Sequence, residues 1–157
     1  QYTKVFGPTI LECFEKDAST GEPKRPILDQ LLENDLIFEK KLFSMLTPEV
    51  TTKLSSPEFS EKSSFLLVGI EAHVCVQQTC LDLLEQGNDV HIIVDGVSSQ
   101  QPIDRQIALQ RMQAAGAYLT TAQSAAFMLM QSAEHPNFKT VSKLTVEHMK
   151  LKNEFNE

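Results

Sequence analysis

Basic residues are scarce in this chain: 14 Lys plus Arg stand against 21 Asp plus Glu in 157 residues, a net charge of −7. That balance favours solubility and opposes phosphate-rich partners, so nucleic acid is not an expected ligand. Long apolar runs are missing too. None approaches the ~18 residues that read as a membrane span, and no charged start followed by an apolar core marks a secretory signal. No membrane partner is expected, and a cytoplasmic location is the default. Cysteine is limited to Cys13, Cys75 and Cys80, an odd set. Cys75 and Cys80, five apart on one predicted helix, do not face each other, so the reading is free thiols in a reducing compartment. Metal-ligand spacings are absent as well: there is no His-x-His, His-x-x-x-His or Cys-x-x-Cys, and neither metal nor cofactor is expected. No internal repeat or low-complexity tract is evident.

What is present suits one globular unit. Apolar residues make up 41% of the chain, with nine Phe to fill a core. We read residues 1–157 as a single domain, with an irregular segment over 1–26, a helical turn near Ile10 to Phe14, and a polar tail over 146–157. Predicted strands cover 35–40, 64–70, 90–94 and 117–120. Predicted helices cover 48–55, 72–86, 102–115, 122–132 and 137–144, with Pro48 and Pro102 at helix starts and Gly87 and Gly116 at helix ends. Residues 95–101 are expected to be loop. The run Ser64 to Ile70 is short and apolar, as a strand buried on both faces should be. Strands alternating with helices at this spacing give an α/β fold with a mainly parallel sheet and helices on both faces.

In such sheets the binding crevice lies beyond the carboxyl ends of the strands. Lys40, Cys75 and Asp95 each fall at or just past such an end. Cys75 in Gly69-Ile70-Glu71-Ala72-His73-Val74-Cys75-Val76 follows the break of an apolar strand and opens a helix. Backbone amides and the positive end of the helix dipole favour thiolate over thiol there, which is the setting of a nucleophile. Cys80, beside Leu81 and Leu84, reads as core. His73 reads as a rim or interface residue rather than a general base, His91 as a packed strand residue, and Asp95 as a substrate-binding group or a cap for the loop that follows, the structural role being favoured. Gln77 and Gln78 could contact a partner subunit or simply be surface residues.

The stretches GIEAHVCVQQTCLDLLEQG and VHIIVDGVSSQQPIDRQIALQRMQAAGAYLTTAQS, with Gly7-Pro8-Thr9, Lys40 to Met45 and His135 to Lys139, resemble the cysteine hydrolase superfamily of isochorismatase and nicotinamidase. The nearest resemblance is to the isochorismatase domain-containing proteins of animals. It implies a three-layer α/β/α fold of Rossmann-like topology and hydrolysis of a small amide or related substrate through a Cys thioester. It places the nucleophile at Cys75 and the activating lysine at Lys40, four residues before Ser44, with Lys41 as the competitor. A one-residue slip on a strand would turn Lys41 to the opposite face. It further implies a cis peptide at Ile70-Glu71 and an oxyanion hole from the backbone amides of Glu71 and Cys75.

The family's aspartate lies on the domain's first strand in an Asp-x-Gln context. Asp17, Asp29 and Asp35 do not stand in that context, so the resemblance reads as an N-terminally truncated form of the domain. The sheet is then expected either to close over a gap or to keep an exposed apolar edge, and Lys40 is not expected to reach Cys75 by the family's usual geometry. Two functions follow: a cysteine hydrolase acting on a small-molecule substrate, or a non-catalytic, oligomerising scaffold that retains the fold. A homo-oligomer is expected in either case.

Overall fold

The structure is a computed structural model in which residues 10–13, 36–57, 59 and 64–150 are described. Most of the segment 1–26, the three aspartates Asp17, Asp29 and Asp35, and the end of the polar tail lie outside those residues. A first parallel pair joins β1, Ile10–Cys13, to β2, Leu36–Glu39, in a register running from Ile10 opposite Leu36 to Cys13 opposite Glu39. The helical turn expected near Ile10 is therefore a strand. A four-residue segment has no decisive periodicity, and a parallel partner settles its conformation.

Helix α1, Pro48–Leu54, starts as its sequence dictates. Thr47 caps it by accepting the Val50 N–H, Pro48 occupies the first turn, Glu49 sits at the positive end and Lys53 at the negative end.

The larger sheet is parallel and three-stranded, in the order β3-β4-β5: Ser64–Ile70, Asp89–Ser98 and Tyr118–Thr120. The helices between and after them are α2, Gln77–Glu85, α3, Pro102–Ala114, α4, Ala122–Met130, and α5, Phe138–Met149. On one face, Val90, Ile92 and Val97 of β4 pack with Cys80 and Leu83 of α2 and Met112 of α3. On the other, α4 packs over β4 and joins α5 through Ala126, Met130 and Val141. The result is a three-layer α/β/α arrangement.

Two boundaries and one burial pattern differ from the sequence reading. Helix α5 runs past 144 to Met149 and takes in the first residues of the expected tail, because Val141 and Thr145 supply a buried stripe at helical spacing. Strand β4 continues to Ser98 through residues expected to be loop. It does so across an irregularity: Leu67 pairs with Ile92, but Gly69 pairs with Val97. Arg105 on α3 holds this bulge, its guanidinium donating to the carbonyls of Val97, at 2.9 Å, and Val94. At Gly96 a Cβ would stand 3.0 Å from Val68 Cγ1 and 3.2 Å from Ile93 Cγ2, so the bulge approaches its neighbours closely at a residue without a side chain.

The third difference concerns β3, expected to be buried on both faces. Its burial alternates instead, with Leu66 48%, Val68 55% and Ile70 70% exposed. Among the described residues β3 pairs with β4 alone, and α4 lies over β4 rather than β3. Leu66, His91 and Tyr118 form a row across the three strands on this less covered face, with the His91 and Tyr118 rings stacked at 4.9 Å. The two sheets share no ladder among the described residues, so the gap expected between the Lys40 and Cys75 strands is not closed by strand pairing.

Candidate active site

The chain turns sharply where β3 ends. Gly69 has φ +132, a region that L side chains rarely adopt, and the Ile70-Glu71 peptide is cis. Glu71 is extended, and the five residues Ala72–Val76 form a π-turn before α2 begins at Gln77. The helix expected over 72–86 thus opens with a wider turn, a feature frequent at functional sites. The Glu71 carbonyl accepts from the amides of Val74 at 3.1 Å and Val76 at 3.2 Å, with the Cys75 amide between them in sequence. Buried Ala72 and Val76 anchor the turn to the core. Cys75 is a free, half-buried thiol on this turn, whereas Cys80 is free and wholly buried. Burial pushes the Cys80 thiol from an ordinary 9.0 up to about 11, so at neutral pH it is an inert core residue.

Lys40 directly follows β2 and is 7% exposed, while its neighbour Lys41 points to solvent. The Lys40 ammonium donates to the carbonyls of Leu42 and Phe43, each at 2.9 Å, which folds the loop around it. The loop tightens again where Ser44 Oγ accepts the Leu46 N–H at 3.2 Å. It is then fastened to the Cys75 element: the Met45 N–H donates to Thr79 Oγ1 at 2.9 Å, and the Thr79 hydroxyl donates to the Cys75 carbonyl at 2.7 Å. The sequence reading missed Thr79. A threonine between Val76 and Leu83 on an otherwise apolar helix stripe was the available signal, since a buried hydroxyl there needs a partner.

Acidic and polar groups border the turn. Glu71 Oε2 accepts the Gln100 N–H at 3.0 Å. His73 Nδ1 lies 3.0 Å from Ser99 Oγ and 3.8 Å from Glu71 Oε2, with Nε2 3.9 Å from Asp104 Oδ2. His73 is therefore a rim residue joined to the β4-α3 loop. Asp95 accepts the Ala122 N–H at 2.8 Å at the start of α4, the structural role expected of it. His91 packs within its strand against Tyr118, Gln77 is half-buried and Gln78 exposed. Among the described residues no cluster of three or more His, Cys, Asp and Glu is arranged to hold a metal ion. A depression lined by Thr51, Phe59, Phe65 and Asn88 lies at the amino ends of β3 and β4, away from the Cys75 rim.

A three-layer α/β/α domain with a free cysteine in a turn at the carboxyl end of a parallel strand belongs among the α/β proteins whose crevice opens on the strand ends. Residues 11–124 match the isochorismatase domain family, and the chain belongs to that family of isochorismatase-like hydrolases. It is 49% identical over 155 residues to the secreted isochorismatase effector Isc1 of Phytophthora sojae, covering 99% of this chain and 68% of that one. It is 43% identical over 147 residues to isochorismatase domain-containing protein 2 of Xenopus laevis, covering 94% of this chain and 62% of that one. Among solved structures it is similar to the MAR1 ribonuclease of Caenorhabditis elegans, with a TM-score of 0.78 and 40% identity over 92% of this chain and 73% of that one. The chain thus spans about two thirds of the length of the two named sequence relatives.

Proposed function

We propose that this domain is a cysteine hydrolase acting on a small amide or related substrate, with Cys75 as nucleophile and Lys40 as the basic group that favours its thiolate. The observation that carries this reading is the link from the buried Lys40, through its own loop and Thr79, to the carbonyl of Cys75. In the proposed reaction the Cys75 sulfur attacks the substrate carbonyl carbon, and the oxyanion is held by the backbone amides of Glu71 and Cys75. The carbon–nitrogen bond then breaks, the leaving amine takes one proton from solvent, and a thioester remains. Water adds to the thioester, the carbon–sulfur bond breaks, the carboxylic acid departs, one proton returns to solvent, and the thiolate is restored. Three of the flanking side chains, Glu71, His73 and Asp104, are acidic or imidazole groups at the rim, a setting in which a small polar substrate would be oriented by hydrogen bonds.

RNA is a less suitable substrate despite the name of the Caenorhabditis elegans structure, because the net charge of −7 opposes a polyanion. Self-association is part of the proposal, supported by the exposed apolar row Leu66, Val68 and Ile70 on β3. Free Cys75 and Cys80 support a reducing, cytoplasmic setting. No helix among the described residues is long and apolar enough to cross a membrane.

The test is site-resolved alkylation of the folded chain by peptide mapping across pH, followed by a screen of small amides. Cys75 is expected to react faster than Cys13 and Cys80 at neutral pH, and the substitution Cys75→Ala is expected to abolish turnover of any amide found. Equal rates at Cys13, Cys75 and Cys80, or a slow Cys75, would favour the non-catalytic scaffold.

A further inference from the structure

We infer that Thr79 is the positioning residue that couples the Lys40 loop to the Cys75 turn, an assignment that rests on the nucleophile and lysine roles proposed above. The side chain is 3% exposed and has one hydroxyl proton. Because the Met45 N–H can only donate, it takes a lone pair of the Thr79 oxygen, and the single proton is committed to the Cys75 carbonyl. Both bonds are thereby ordered by elementary donor and acceptor counting. A threonine on a helix commonly bonds back to the carbonyl four residues earlier and turns the rest of its oxygen to solvent. Here that remaining capacity is spent on another segment, 34 residues away in sequence.

The consequence is a continuous chain of contacts. The Lys40 ammonium is held by the Leu42 and Phe43 carbonyls, the same loop ends at Met45, Met45 is pinned to Thr79, and Thr79 grips the turn residue that carries the thiol. Among the described residues Lys40 and Cys75 follow strands of two different sheets that share no ladder, so no backbone pairing there sets their relative position. A side-chain hydroxyl that bridges the two segments can set it. Replacing it with a methyl of nearly the same volume leaves Met45 N–H and Cys75 C=O to find other partners, while keeping the packing against the core.

The experiment compares the wild type with Thr79→Val and Thr79→Ser. Cys75 alkylation is followed alongside Cys80, which reports general opening of α2, and amide exchange is measured at Met45. In the wild type, Met45 is expected to be protected. In Thr79→Val, Cys75 alkylation at neutral pH is expected to fall about tenfold as both bonds of the hydroxyl are lost, with Cys80 still slow. In Thr79→Ser both readouts are expected to return to within about twofold of the wild type, since the hydroxyl is kept. An unprotected Met45 amide in the wild type overturns the inference without any variant, which covers the case in which Thr79→Val does not fold. So does a Thr79→Val chain whose Cys75 reacts at the wild-type rate, or one in which Cys75 and Cys80 accelerate together, the mark of simple destabilisation. A wild-type Cys75 no faster than a free thiol instead removes the nucleophile reading, and the positioning role with it, before any variant is compared.

Discussion

Glu71 and Gln100 are joined across the rim of the candidate site: the Glu71 carboxylate accepts the Gln100 backbone N–H at 3.0 Å. The bond ties the residue that follows β3 to the loop that follows β4. Glu71→Ala removes the acceptor and is expected to cost about 1 kcal/mol of stability, together with faster hydrogen exchange at the Gln100 amide. Glu71→Gln retains an acceptor oxygen and is expected to keep most of that protection. Unchanged exchange at Gln100 in the alanine variant would show that the loop is held by other means.

Arg105 is the clamp of the β4 bulge. Its guanidinium satisfies the carbonyls of Val94, inside the register shift, and of Val97, where pairing resumes. Arg105→Met keeps much of the apolar stem but leaves both oxygens without this donor, and a loss of roughly 2–3 kcal/mol is expected in denaturant titration. Arg105→Lys is expected to recover only part of it, because an ammonium lacks the planar fork that reaches two acceptors at fixed geometry.

Cys80 gives the fold a pH dependence of known sign. Burial raises its thiol to about 11 in the folded state from an ordinary 9.0. Below pH 9 both folded and unfolded chains hold the proton, and this group's contribution is fully present. Between 9 and 11 the unfolded chain releases the proton and the folded one retains it, so stability falls as pH rises. Cys80→Ala is expected to lose roughly 1 kcal/mol of apolar burial at pH 7 but to decline less steeply across that alkaline window. Parallel stability curves for the two chains would contradict the assignment.

Val68 sits at the centre of the exposed apolar row on β3. If copies of the chain associate there, Val68→Lys places a charge in the contact and is expected to shift the protein to smaller species in analytical ultracentrifugation, since a buried unpaired charge is strongly unfavourable. A monomeric wild type, or an oligomer indifferent to this lysine, would move self-association elsewhere or remove it.

The local chemistry of the chain was legible from its residues. Proline at the starts of α1 and α3, glycine after α2 and α3, and the apolar run Ser64 to Ile70 located elements to within a few residues. Those signals act over one turn or one strand. The same locality placed Cys75 at a strand-to-helix junction and separated it from Cys80, whose neighbours are apolar. The family resemblance carried the fold class beyond what periodicity alone supports.

Other features depend on contacts between distant segments. Ile10–Cys13 became a strand because Leu36–Glu39 lies beside it, and β4 extended to Ser98 because Arg105, on the following helix, supplies donors for its irregular carbonyls. The outward residues of β3 are exposed because neither a second strand nor α4 covers them among the described residues. Burial of Lys40 beside the exposed Lys41 appears only in the folded chain, and the link from the Lys40 loop to Cys75 came from Thr79, a residue unremarkable in the sequence. Periodicity and capping are written in neighbouring residues, whereas pairing, burial and hydrogen bonds across 34 positions exist only once the chain has closed on itself.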